Sequence, residues 1–123
     1  MLKDSLYIIK QIDKGNNSID VIIELNAKHE IFKGHFPSQP VLPGACMLQM
    51  IKEILETSLD IKLQLSKADD IKFLQMIQPS DNTVLLFSIQ YDYTENPALN
   101  ITAKILKGDV ICCKIKALYT SKG

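Results

Sequence analysis

Three of the five prolines in this 123-residue chain, Pro37, Pro40 and Pro43, fall within seven residues of one another and run into its one sustained helical periodicity. From Pro43 to about Leu59 the apolar residues Met47, Leu48, Met50, Ile51, Ile54 and Leu55 recur at helical spacing, with Gln49, Lys52, Glu53 and Glu56 on the opposite side. Pro43 stands where a helix tolerates proline, at or just before the first turn, because its missing N–H would be unpaired there anyway. One long helix with a rigid approach and β-rich sequence on both sides leaves few possible folds.

Before the helix, Ser5 to Ile12 and Ser18 to Leu25 are β-rich and are separated by the turn-like Gly15-Asn16-Asn17. After it come Asp70 to Ile77, Val84 to Tyr93, Leu99 to Leu106 and Val110 to Tyr119, the last two joined by Lys107-Gly108-Asp109 as a hairpin. Two strands, a helix and about four strands read as an α+β chain whose helix lies across one face of a twisted antiparallel sheet. With 46% hydrophobic residues, residues 1–123 suffice for one core and form a single domain. One helix leaves the other sheet face and the edge strands uncovered, so a homodimer or higher homo-oligomer, built by edge pairing, is expected.

The charge balance narrows the partners. Fourteen lysines cancel fourteen acidic residues and there is no arginine, which argues against nucleic acid. Cys46, Cys112 and Cys113 have neither the even count of a disulfide framework nor a zinc-site spacing; they read as reduced, buried thiols, the adjacent pair on opposite faces of a strand. Lys3, Asp4, Lys10 and Asp13 interrupt the apolar residues of the N-terminal stretch, so no signal peptide is expected, and no apolar run approaches the ~18 residues of a membrane span. A cytoplasmic location follows. No motif calls for a metal or an organic cofactor.

His35 lies in the proline-rich loop, between Gly34 and Phe36. A loop so restricted loses little entropy in holding a histidine in one place. Gly44 opens the helix, where free N–H groups and the helix dipole favour a partially negative oxygen. A histidine base facing a polarised carbonyl would be built this way. A lone histidine before a helix also commonly caps it or is simply solvated, and the residues alone leave both readings open. His29, among charged neighbours, reads as solvated.

The segment IFKGHFPSQPVLPGACMLQMIKEIL closely resembles the signature of the β-hydroxyacyl-acyl-carrier-protein dehydratases, hot-dog-fold proteins in which a curved antiparallel sheet wraps a central helix. Gly34 to Pro37 match the G-H-F-P of that pattern, Pro40-Val41 its P-V and Pro43-Gly44 its P-G. Residues 71 to 81, IKFLQMIQPSD, echo the family's K-F followed by P-G-D, with Ser80 in place of the glycine. The resemblance implies dehydration of 3-hydroxyacyl thioesters on acyl carrier protein, in fatty-acid or related polyene or polyketide synthesis, without a cofactor. It implies that His35 removes the C2 proton, that the Gly44 N–H binds the thioester carbonyl and that the Val41 carbonyl orients the histidine ring. Phe36 joins Val41 and Gly44 as a substrate contact, and in this family the site lies between two protomers. Lys33, Lys52 and Lys72 are candidates for contacting the acidic carrier.

One position departs from the pattern. Where the family has Glu or Asp in the helix, this chain has Gln49, and an amide neither gives nor takes a proton at neutral pH. Four readings stay open. His35 performs both proton transfers, with Gln49 orienting the substrate or a water. Glu53, one turn further on, substitutes as the acid, although a solvated helix-face carboxylate is its plainer reading. The chain is a hot-dog thioesterase. Or it is a non-catalytic acyl-thioester-binding or scaffolding subunit. Cys46, near the helix start, could have its thiol lowered by the dipole, but burial in the helix is the simpler state.

Overall fold

The structure, a computed structural model, describes residues 1–34, 40–94 and 98–122. Strands β1 (Tyr7–Gly15) and β2 (Ser18–Leu25) are followed by the short helix α1 (Ile31–Gly34) and the long helix α2 (Gly44–Leu59). Strands β3 (Leu63–Phe73), β4 (Val84–Tyr93), β5 (Ala98–Lys107) and β6 (Val110–Ser121) complete the chain. All six strands join one antiparallel sheet in the order β1-β2-β4-β5-β6-β3.

Period-two burial places the core on one face of this sheet. Ile19, Val21, Ile23 and Leu25 of β2, Leu85, Phe87 and Ile89 of β4, and Leu99, Ile101, Ala103 and Ile105 of β5 are buried, while the residues between them turn outward. Against them α2 sets Met47, Met50, Ile51, Ile54 and Leu55, whose offsets of three, four, seven and eight make one helical stripe. The Tyr119 hydroxyl of β6 donates to the Leu48 carbonyl at 2.8 Å and ties helix to sheet. Gly108, with φ of 61°, takes the first central position of the β5–β6 hairpin, which closes between Lys107 and Val110 in two residues.

Four expectations are corrected. The strand read at Asp70 to Ile77 is β3, which begins at Leu63 and stops at Phe73. Its first half escapes an apolar pattern because β3 is an edge strand paired only to β6, exposed along nearly its whole length and bulged at Leu65/Lys67 and Ala68/Asp70. Cys112 and Cys113 do not divide between two faces. Ile105 opposes Cys113 and Leu106 opposes Ile111, so Cys112 is a bulged extra residue and both thiols are buried and free. His29 is half-buried rather than solvated, and its Nδ1 accepts the Ile31 N–H at 3.1 Å at the start of α1. Glu53, read as a helix-face carboxylate in water, is fully buried.

Tyr119→Phe should lower stability by about 1 kcal/mol in urea denaturation, since the Leu48 carbonyl keeps its helical partner and only the cross-element bond is lost. An unchanged midpoint would mean that the bond does not hold α2 to the sheet.

Candidate active site

Two peptide groups at the start of α2 are each held by a hydrogen bond at one end, which turns the other end the opposite way. The Leu42 N–H donates to the Ile77 carbonyl at 2.8 Å, which fixes the plane of the Val41–Leu42 peptide. In a trans peptide the C=O lies opposite the N–H, so the Val41 carbonyl points away from Ile77. The Pro43 carbonyl accepts from the Cys46 and Met47 N–H groups at 3.1 and 3.2 Å, turning it into the helix. The Gly44 N–H on the same peptide therefore points out of the helix N-terminus, where no side chain among the described residues caps it and the dipole is positive.

The space beside Gly44 is taken by a neighbouring side chain. A Cβ at this position would stand 2.6 Å from Cζ of Phe73, a residue 58% exposed whose ring lies over the first turn of α2 from the end of β3. The group that lies against Gly44 is thus this aromatic ring. Phe73 is the site residue that sequence reasoning left unassigned, although the K-F echo contained it. His35 and Phe36 fall within 35–39, outside the described residues. Val41 and Gly44 are thus brought together at one helix end.

Gln49 is half-buried, and its Nε2 donates to Glu53 Oε2 at 2.7 Å. The same carboxylate accepts the Leu2 N–H at Oε2 (2.9 Å), and the Lys3 N–H and Tyr7 hydroxyl at Oε1 (2.8 and 3.0 Å). Burial alone would raise the Glu53 carboxyl, but the donations from Leu2, Gln49, Lys3 and Tyr7 outweigh it and hold the group below the usual carboxylate range. Glu53 is thus held as an anion by its donors, which argues against it as the substitute acid. Burial, with the Glu53 charge beside it, pushes the Tyr7 hydroxyl up, so that it stays a donor. Burial also raises the Cys46 thiol, the opposite of a dipole-activated cysteine. A surface cavity of about 630 Å³, lined by residues including Tyr7, Glu24, Asn26 and Asp81, contains none of Val41, Gly44 and Gln49.

Gly44→Ala should force the Phe73 ring aside. Because that ring is the far end of an exposed side chain, the stability cost should stay near ~1 kcal/mol, and adding Phe73→Ala should remove it. A cost that persists in the double variant would place the strain in the backbone instead. Glu53, with its folded pKa depressed, contributes stability that is fully present above the ordinary glutamate value near ~4.3 and is lost as pH falls through the lower folded value. Glu53→Gln should cost about 1–3 kcal/mol at neutral pH, and its deficit relative to wild type should shrink below about pH 4 in acid titrations of stability. A deficit that does not vary with pH would contradict an ionised Glu53.

Comparison with known proteins places this geometry. The model of the ApeI-like family, described as ApeI dehydratase, matches residues 11–111. The chain is 32% identical over 89 residues to the bifunctional enzyme LpxC/FabZ of Bacteroides thetaiotaomicron, a match covering 66% of this chain and 19% of that protein. It is 30% identical over 92 residues to the 3-hydroxyacyl-[acyl-carrier-protein] dehydratase FabZ of Lactococcus lactis subsp. cremoris, covering 65% of this chain and 60% of the other. The matched part is therefore about a fifth and three-fifths of those relatives' lengths. In fold it superposes on the dehydratase heterocomplex ApeI:P of Xenorhabdus doucetiae with a TM-score of 0.74 at 23% identity, covering 92% of this chain and 96% of that one. A hypothetical thioesterase with coenzyme A from Streptococcus pneumoniae TIGR4 gives 0.67 at 13% identity, covering 98% and 92%. With one long helix against a six-stranded antiparallel sheet, this hot-dog chain belongs to the ApeI-like dehydratase family.

Proposed function

We propose that this chain removes water from 3-hydroxyacyl thioesters borne on an acyl carrier protein, giving trans-2-enoyl thioesters. The observation that carries this reading is the pair at the start of α2, the Gly44 N–H and the Val41 carbonyl, each turned away from the hydrogen bond that holds its peptide, in a chain whose sequence also carries the G-H-F-P of the resemblance at Gly34 to Pro37. In the proposed reaction His35 takes the C2 proton, and the electrons of that bond move toward the thioester carbonyl. The Gly44 N–H receives the developing enolate charge in the positive field of the helix end. As the enolate collapses, the C3–O bond breaks and the hydroxyl leaves as water with the proton carried by His35. The Val41 carbonyl orients the imidazole, Phe36 contacts the acyl chain, and Gln49 holds the hydroxyl by hydrogen bonding rather than by proton transfer.

The same reading supplies partners. Lys72 of β3 faces Lys114 of β6, and Lys114 faces Lys104 of β5, so three exposed lysines stand side by side on the outer face of the sheet. Like charges so placed repel one another, and an acidic carrier protein is the complementary ligand. Lys72 lies next to Phe73, close in sequence to the ring over Gly44, whereas Lys33 and Lys52 have no such companions in the sheet. The unpaired edge of β3 and the exposed Phe73, Leu74 and Met76 beside it favour a second copy as the cover, in a homodimer. Among the described residues no helix is long and apolar enough to cross a membrane, and we place the reaction in the cytoplasm.

The reverse reaction tests this. Hydration of a short trans-2-enoyl thioester, followed by loss of enoyl absorbance, should fall at least ~10²-fold in His35→Ala. Absence of turnover on both carrier-protein and coenzyme A thioesters would overturn the reading, and release of free thiol without hydration would replace it with thioester hydrolysis.

A further inference from the structure

The Gln49–Glu53 contact determines which end of the Gln49 amide is available. An ionised carboxylate accepts hydrogen bonds and offers none, so the amide atom 2.7 Å from Glu53 Oε2 has to be the nitrogen. That leaves the second N–H and the carbonyl oxygen of Gln49 directed elsewhere, and among the described residues neither has a partner. Glu53 is itself immobile. It is buried on α2, its other donors are the backbone of Leu2 and Lys3 and the buried Tyr7 hydroxyl, and no cation lies within ion-pair distance among the described residues. An amide one helical turn away is therefore held by a rigid acceptor, while its half-buried position keeps the remaining polar atoms within reach of solvent.

We infer that Glu53 is a positioning residue: it locks the Gln49 amide so that one N–H and the carbonyl oxygen form a fixed two-point contact for the 3-hydroxyl of the acyl substrate. This rests on the thioester reading above and adds to it the group that reads the hydroxyl. An alcohol is both donor and acceptor, and a locked amide offers the matching acceptor and donor side by side. The lock also accounts for an amide at position 49. A carboxylate there would set an oxygen about 2.7 Å from Glu53 Oε2, and two carboxylates at that distance cannot both be ionised. The charged partner at 53 and the neutral one at 49 form a matched pair.

The test measures preference for the hydroxyl rather than rate. The 3-hydroxybutyryl and butyryl amides of the pantetheine analogue that carries an amine in place of the thiol, which resist the hydrolysis that thioesters undergo, are titrated by NMR against the full chain. The wild type should bind the hydroxylated ligand about tenfold more tightly, the equivalent of one to two net hydrogen bonds. Gln49→Leu and Glu53→Gln should both bring the two affinities together. Phe87→Leu, a core truncation on β4 outside the pair, should retain the preference and so separates positioning from general loss of stability. A folded Glu53→Gln that keeps the tenfold preference would overturn the inference.

If Glu53→Gln does not fold, the wild type alone decides. The Gln49 side-chain amide resonances, assigned by their loss in Gln49→Leu, should move with the hydroxylated ligand and not with the plain one, and equal movement would overturn the inference. Equal affinity of the wild type for both ligands would overturn it while leaving the thioester reading intact. Binding of neither ligand would overturn the thioester reading itself, and the inference with it.

Discussion

A buried, ionised carboxylate is expensive without a cation, and Glu53, which has none beside it among the described residues, is kept charged by a full set of donors. Much of the molecule's arrangement follows from that requirement. Two donors are main-chain N–H groups of Leu2 and Lys3, so the start of the chain has to lie across α2. The third is the Tyr7 hydroxyl, which brings in the first residue of β1. The fourth is the Gln49 amide, which couples this structural anchor to the proposed substrate face. Loss of any donor would leave part of the charge unsatisfied, so N-terminal segment, first strand and central helix are held to one another by the same group.

Around α2 the sheet provides a second constraint. The helix stripe from Met47 to Leu55 fits the buried positions of β2, β4, β5 and β6, and Tyr119 holds its backbone by one cross-element bond. At its N-terminal end, by contrast, the described residues bring little cover. Phe73 lies there on Gly44 and is more than half exposed, a surface that a hot-dog subunit in isolation leaves without cover. Apolar exposure of this kind, next to an unpaired strand edge, is costly unless another surface meets it.

Much of this was readable from residues, for identifiable reasons. Strands β2 and β4 match the expected limits because each is a half-buried alternating strand flanked by turn residues, and α2 does so because its proline and its apolar spacing agree. Strand β3 was misplaced because an edge strand exposed along most of its length has no burial pattern to display. The bulge at Cys112 breaks the rule that neighbours face opposite ways, and a bulge is a property of the pairing rather than of either strand. Glu53 reads as solvated because three of its four partners come from residues roughly fifty positions away, and helical periodicity is blind to what packs on the helix. Position 73 was visible as a motif letter, yet its contact with Gly44 is a tertiary fact.

The start of α2 also affects how the chain tolerates change. The Val41 carbonyl and the Gly44 N–H are oriented by backbone hydrogen bonds from Leu42 to Ile77 and from Cys46 and Met47 to Pro43, none of which uses a side chain. Truncating Val41 to alanine leaves its carbonyl in place, so an alanine scan would pass over this group almost silently. Sequence at that position is free to drift within the limits of packing, while the peptide groups persist unaltered. Main-chain chemistry of this kind is exposed only by perturbing the backbone itself, through an ester in place of an amide or a residue that shifts φ.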